Sequence, residues 1–242
     1  MRYFVQLSYK GTNFHGWQIQ PNAVSVQEVL NKAFSTVMRQ PIDLTGAGRT
    51  DTGVHASFFI AHFDVNDEIE DIEKLKFALN NLLPFDIAIQ HIYKVADDLH
   101  ARFSAKEREY QYFISTQKNP FAMETSYYLQ RKLNMELMNE AAQILFQYID
   151  FTSFSKLHTD VQTNNCIIFK AQWERREASL VFTISADRFL RNMVRAIVGS
   201  LVDIGMERSD LVKFRKIIES KNRSNAGFSV PAKGLFLTNI VY

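Results

Sequence analysis

"GAGRTDTGVHASFFIAHFDV", residues 46–65, is the stretch on which the architecture turns. Its first half sets three glycines, Gly46, Gly48 and Gly53, around one arginine and one aspartate, Arg49 and Asp51. Glycine at this density marks a tight backbone path or a close approach to something else. Its second half continues as a strand, rich in aromatic and branched residues. Two familiar glycine-loop folds therefore fail. A Walker loop needs lysine and then a hydroxyl after its last glycine, and Gly53 is followed by Val54 and His55. A dinucleotide fingerprint needs a third glycine where Asp51 stands, and a helix where the strand begins. Two readings of the loop stay open: a tight turn whose aspartate caps a local amide, or a loop that presents its charges for function.

Outward from this loop, the element order repeats. "RYFVQLSY" reads as an opening strand. "SVQEVLNKAFSTVM" is a helix by the spacing of Val26, Val29, Leu30, Ala33, Phe34, Val37 and Met38. Ser25 and Glu28 form a capping box at its start. "PIDLTG" and "SFFIAHFDV" read as strands flanking the loop, "DIEKLKFALNNLL" as a helix stopped by Pro84, and "DIAIQHIYKV" as a strand. The second half follows with strand "REYQYFIS", helix "NMELMNEAAQILF", and a hairpin of "CIIFKAQWERR" and "SLVFTISA" turned near Glu177–Ser179. A long helix, "RFLRNMVRAIVGSLVDIG", a short one, "DLVKFRKIIE", and a closing strand, "GLFLTNIVY", complete it. The expected fold is α+β: two ferredoxin-like βαββαβ halves, residues 1–104 and 105–242, with a cleft between them.

The 242-residue chain is 46% hydrophobic and 22% charged, which describes a globular protein. A net charge of +2 and a pI near 8.5 place any basic surface in local clusters rather than in the whole chain. Cys166 is the single cysteine, so no internal disulfide forms. No apolar run suggests a signal peptide or a membrane span, and the expected location is cytoplasmic. His55, His62 and Asp64 lack zinc spacing, and seven residues along a strand put the two histidines on opposite faces, so no metal is expected. There is no Gly-x-Ser-x-Gly elbow, and Cys166, opening an apolar strand, reads as packing.

Basic residues gather in two places. Arg188, Arg191 and Arg195, at i, i+3 and i+7 of the long helix, share a face opposite Phe189, Leu190, Met193 and Val194. That face is either a solvated basic stripe or an anion-binding surface. In "ARFSAKEREYQYF", Arg102, Lys106 and Arg108 neighbour Tyr110 and Tyr112, whose rings share a strand face. This pattern suits RNA, with cations on the backbone and a ring on a base. It equally suits a half-buried strand with its tyrosines turned to the core.

Together "YKGTNFHGWQIQP", "SVQEVL", "GAGRTDTGVHA", "ARFSAKEREYQY", "RFLRNMVRAIVGSL" and "GLFLTNIVY" resemble, in order, the motifs of the tRNA pseudouridine synthases of the TruA type. They run from residue 9 to the C-terminus. Thr52 stands where alanine is usual, and residues 156–165 are less distinctive. The resemblance implies a continuous, mixed, mainly antiparallel sheet with helices on one side and a central RNA-binding cleft. It implies an isomerase that breaks the N1–C1′ bond of a tRNA uridine, turns the base and rejoins it through C5. The targets are uridines 38, 39 and 40, on the 3′ side of the anticodon stem-loop. It implies Asp51 as the catalytic carboxylate, and Tyr110, Arg49, Arg195 and Leu235 as substrate-binding residues. Tyr110 would stack on the target base, Leu235 would pack beside it, and Arg195 would pair with Asp51. Arg102, Arg108 and Arg188 are expected on the RNA backbone. No cofactor or metal is implied, and the family is usually a homodimer.

The chemistry agrees with these roles. A stem base must leave the stack before its glycosidic bond is reached. A neighbouring guanidinium favours the ionised carboxylate. A glycosidase would normally need a second flanking acid. Asp51 has three routes open: attack on C1′, attack on C6, or removal of the 2′ proton. The rival from another class is a tRNA-binding protein without catalysis, which would have no use for Asp51.

Overall fold

The computed structural model describes residues 1–156 and 163–242; part of the less distinctive stretch 156–165 lies outside them. It is an α+β protein whose nine strands among the described residues are mixed and mainly antiparallel. The chain forms two compact units, Met1–Lys106 with Leu237–Tyr242, and Glu107–Phe236.

In the first unit the strands are β1 (Arg2–Tyr9), β2 (Thr45–Gly46), β3 (His55–Asp64) and β4 (Ile87–Val95), with helices α1 (Val26–Met38) and α2 (Ile72–Leu82). β1 lies between β4 and β3, antiparallel to both, and β2 pairs antiparallel with β3. Tyr3 and Phe63 face each other across β1 and β3, and Phe34 of α1 meets Phe63 edge-on at 5.1 Å. Local chemistry sets the helix ends. Ser25 Oγ accepts from Glu28 N, Asp71 accepts from Lys74 N, and Pro84 follows the end of α2.

The stretch "PIDLTG" departs from expectation: only Thr45–Gly46 is strand. Side chains of α1 satisfy the rest. Ser35 Oγ accepts from Ile42 N, Asn31 Oδ1 accepts from Leu44 N, and Gln27 Nε2 donates to Leu44 O. A backbone that finds partners on a helix has no need of a ladder.

A second departure reverses the histidine geometry. Leu7 pairs with Phe59 but Tyr9 pairs with Ala56, so β3 carries one extra residue there. The bulge flips the alternation, and His55 and His62 lie on the same face, at opposite ends of β3. Each is occupied in the core: His55 Nδ1 accepts from Gly11 N at 2.9 Å, and His62 Nδ1 accepts from Ala101 N at 3.2 Å. Among the described residues no group of three His, Cys, Asp or Glu is placed to hold a metal ion.

His62 carries a pH prediction. Burial, then the charges of Arg2 and His100, push its pKa down to about 4. The unfolded chain, with an imidazole near 6.5, binds the proton more readily than the folded one. Stability is therefore complete above pH 6.5 and falls as pH drops toward 4. The loss approaches roughly 3 kcal/mol at the low end. Asp64, whose carboxylate accepts two 2.8 Å hydrogen bonds from Arg2, titrates in a lower window. Denaturant titrations at several pH values should show a shallower slope between pH 6.5 and 4 for His62→Gln than for the parent. Equal slopes would remove His62 as the source.

In the second unit β8 (Ser179–Ala186) lies between β5 (Glu107–Ser115) and β7 (Ile168–Arg176), antiparallel to both; β6 (Tyr127–Tyr128) pairs in parallel with β5. The hairpin turns where expected, with Glu177 at φ +51°. Three helices complete the unit: α3 (Met135–Ile144), α4 (Met193–Gly205) and α5 (Leu211–Glu219). The core gathers Trp173, Phe182, Phe151, Phe154 and Phe214. Cys166 is buried, which pushes its thiol up to about 12, in keeping with packing.

The long helix is corrected at its start. It begins at Met193, not Arg188, because Asn192 adopts the left-handed conformation, φ +68°. The preceding loop is held by Asp187 Oδ1, which accepts from Ile167 N and Arg188 N, and by Arg191 O, which accepts from Lys156 N. Arg188, Arg191 and Arg195 therefore share no helix face; only Arg195 is helical. What remains of α4 is buried nearly all round rather than amphipathic.

Candidate active site

Two of the three glycines of "GAGRTDTGVHA", Gly46 and Gly53, fit the loop to its own protein. A Cβ on Gly46 would lie 2.4 Å from the indole of Trp17. Trp17 is itself stacked on Phe59 at 4.1 Å. Asp51 O accepts from Val54 N, closing a turn in which Gly53 takes φ +77°. That is the third turn position, where glycine removes the steric penalty.

The other wall is the N-terminal motif "YKGTNFHGW". A Cβ on Gly11 would lie 2.0 Å from Val54 O, and one on Gly16 would lie 2.3 Å from Thr50 O. Trp17 N donates to Thr50 O, Gly53 N donates to Phe14 O, and the hydroxyls of Tyr9 and Thr50 are 2.8 Å apart. The loop backbone is thus pressed against a second backbone at both glycines. Its side chains divide accordingly. Thr50 and Val54 are buried, while Arg49 and Thr52 are exposed and Asp51 is half-buried. Thr52, in place of the usual alanine, meets solvent, so the extra hydroxyl displaces no packing.

This arrangement lifts one carboxylate and one guanidinium from a rigid base. The turn is closed by the main chain of Asp51 rather than by its carboxylate. The work of Tyr9, Gly11, Gly16 and Trp17 becomes visible only in the contacts they make with this loop. Two glycines set among three aromatics, Tyr9, Phe14 and Trp17, within nine residues were the available signal.

Elsewhere in the first unit, Leu99–Ser104 is tightly tied. His100 Nδ1 accepts from Arg102 N and Phe103 N, and Tyr242 Oη donates to Ala101 O. This holds Phe103 76% exposed, with the Arg102 guanidinium 5.6 Å from its ring centre. Arg102 is exposed, as an RNA contact requires.

In the second unit the two tyrosines of β5 differ. Tyr112 is fully buried and donates to Pro231 O at 2.8 Å, so it belongs to the core. Tyr110 is half-buried and meets Phe189 edge-on at 5.2 Å. Arg195 Nε donates to Val230 O at 2.8 Å, and Arg195 O accepts from Val230 N. The paired bonds fix the guanidinium against the 226–234 segment, with Nε as one of its five donors. Leu235 is buried at the start of β9 (Leu235–Val241). Arg108 donates to Asp187 O at 2.8 Å, an internal contact that the sequence did not reveal. Arg188 is half-buried in the loop before α4. No helix among the described residues is long and apolar enough to cross a membrane.

Comparison with known proteins bears on the whole chain. The profile of the tRNA pseudouridine synthase family matches residues 7–104 and 141–242. The chain is 54% identical over 241 residues to the tRNA pseudouridine synthase A of Parabacteroides distasonis, covering 100% of this chain and 96% of that protein. It is 53% identical to that of Bacteroides fragilis, with the same coverage. It is 40% identical to that of Clostridium acetobutylicum, covering 98% and 97%. With such identity along its whole length, and the loop that carries Asp51 held as described, the chain belongs to the tRNA pseudouridine synthase A family, isomerases that modify tRNA.

Proposed function

We propose that this enzyme isomerises uridine to pseudouridine on the 3′ side of the tRNA anticodon stem-loop, with Asp51 as the catalytic carboxylate. The observation that carries the proposal is the loop itself. Gly46 packs on Trp17, the turn at Gly53 is closed by main chain, and the loop carries a half-buried Asp51 beside an exposed Arg49. Residues 1–104 carry this loop; residues 105–242 contribute Tyr110, Arg195 and Leu235 to the substrate. The ferredoxin-like reading draws support from the order β4-β1-β3 in the first unit, with the short β2 paired to β3 off that path, and from β5-β8-β7 in the second. A cytoplasmic homodimer that binds tRNA across its surface fits the family's usual form.

The reaction conserves atoms. The N1–C1′ bond breaks, the base turns, C5 bonds to C1′, C5 loses its proton and N1 ends with one. Arg49 holds the displaced strand or fills the space left by the flipped base. Tyr110 stacks on that base, its ring steadied by Phe189. Arg102, Arg108 and Arg188 contact phosphates, Arg108 while also holding Asp187. The test follows C5: tRNA tritiated at uridine C5 releases label on isomerisation. Binding without release identifies the rival, a tRNA-binding protein without catalysis.

Arg195 gives a separate prediction. Lysine keeps the charge but loses the fork that can donate to a carbonyl and grip a carboxylate together. Arg195→Lys should cut kcat by about a hundredfold or more, the scale of a misplaced catalytic group. The unfolding temperature should move little. A sharp fall in melting temperature with normal kcat in the folded fraction would make Arg195 a structural residue.

A further inference from the structure

Among the nine glycines, all within the described residues, Gly48 alone has no reason of its own to be glycine. Seven of the others would bring a Cβ within 3.0 Å of protein atoms. Gly53 needs its positive φ. Gly48 has neither constraint: it is not at positive φ, and among the described residues a Cβ there would meet nothing within 4 Å. No described residue fills the space beside it.

Its neighbours make that space rigid. On one side Ala47 is buried and its N–H donates to Ile60 O at 2.8 Å. On the other, Thr50 is buried and bonded to the Tyr9 hydroxyl. Gly48 and Arg49 lie between these two anchored residues, three and two positions before Asp51. A segment fixed at both ends cannot move aside when a ligand arrives. Glycine in such a place permits main chain and ligand to approach more closely than any Cβ allows.

We propose that Gly48 is a substrate-positioning residue, left bare so that the sugar–phosphate backbone of the RNA strand runs against this segment, with the target nucleotide placed at Asp51. The charge of Arg49, exposed beside it, favours a polyanion in that space. The inference rests on the tRNA reading given above and adds a steric rule to it. Any side chain at residue 48 should exclude the strand in proportion to its size.

The experiment compares Gly48→Ala and Gly48→Val with the parent by thermal unfolding, by equilibrium binding of an unmodified tRNA transcript, and by tritium release. Both variants should melt at or above the parent's temperature, because residue 48 can carry a side chain in its own conformation. Both Kd and KM for tRNA should rise, by a few-fold for alanine and by about tenfold or more for valine, as a displaced strand loses its fit. Gly46→Ala is the contrast, expected to melt lower because Trp17 lies 2.4 Å from the added carbon. Parental Kd and KM in a stable Gly48→Val protein would overturn the proposal and leave the function untouched. A lowered melting temperature for Gly48→Val would overturn it too, by making the glycine a requirement of the fold. A parent that releases no tritium would overturn the underlying function, a result independent of residue 48.

Discussion

Asp51→Asn should fold, bind tRNA at least as tightly as the parent, and form no detectable pseudouridine. The fold should survive because the turn is closed by Asp51 O and Val54 N, which asparagine retains. Asparagine is also a good turn residue, and a substitution this local typically shifts stability by about 0.5 kcal/mol or less. Binding should survive or tighten because one negative charge is removed from a surface that meets phosphates. Chemistry should fail because a neutral amide is a poor nucleophile and a negligible base. The size of the loss is informative. A general base contributes roughly 10²–10⁴-fold. Residual tritium release within about 10⁴ of the parent fits removal of the 2′ proton as the main role. No release beyond background fits an attack by the carboxylate itself. Release at a substantial fraction of the parental rate would show the carboxylate to be structural.

Trp17→Ala should have the largest effect on stability. The side chain is 3% exposed, stacks on Phe59 at 4.1 Å, and is 6.3 Å from the Tyr9 ring. Truncating a buried tryptophan removes apolar burial and leaves a cavity, at a cost of about 3–5 kcal/mol. Against a total of roughly 5–15 kcal/mol, that is a large share. The loss should reach the Asp51 loop, because the Trp17 indole walls Gly46; the main-chain bond from residue 17 N to Thr50 O is retained in the variant. A coupled test isolates that contact. Gly46→Ala and Trp17→Phe should each destabilise, but the double variant should be less unstable than their sum, since phenylalanine withdraws the indole atoms that the new methyl strikes. Urea unfolding checks both claims. A Trp17→Ala loss below about 1 kcal/mol would be too small for a buried wall. Strict additivity in the double variant would mean that the two residues do not press on one another.

Local order was largely legible in the residues. α1 was readable from its apolar spacing and its Ser25 cap, α2 from Pro84, and the β7–β8 hairpin from its turn. Each depends on forces between near neighbours in the chain. Asp51 stood out for a similar reason, as an acid among glycines within a set of family motifs. What the residues left undecided depends on distant partners. "PIDLTG" has strand composition, yet α1 side chains satisfy its backbone. "RFLRN" has helical spacing, yet Asn192 turns left-handed and its loop binds Ile167, just before β7, and Lys156. The alternation that set His55 and His62 apart was undone by one extra residue, whose place is fixed by pairing with β1.

The glycine loop divides in the same way. The sequence alone determined that the backbone here is tightly placed and that a carboxylate rides on it. Only the tertiary structure decided which glycine answers to what: Gly46 to an indole, Gly53 to a turn, and Gly48 to nothing among the described residues. Composition records that a Cβ is missing. The reason lies in atoms some 30 to 40 residues away in the chain, brought to van der Waals distance by packing that no local pattern encodes.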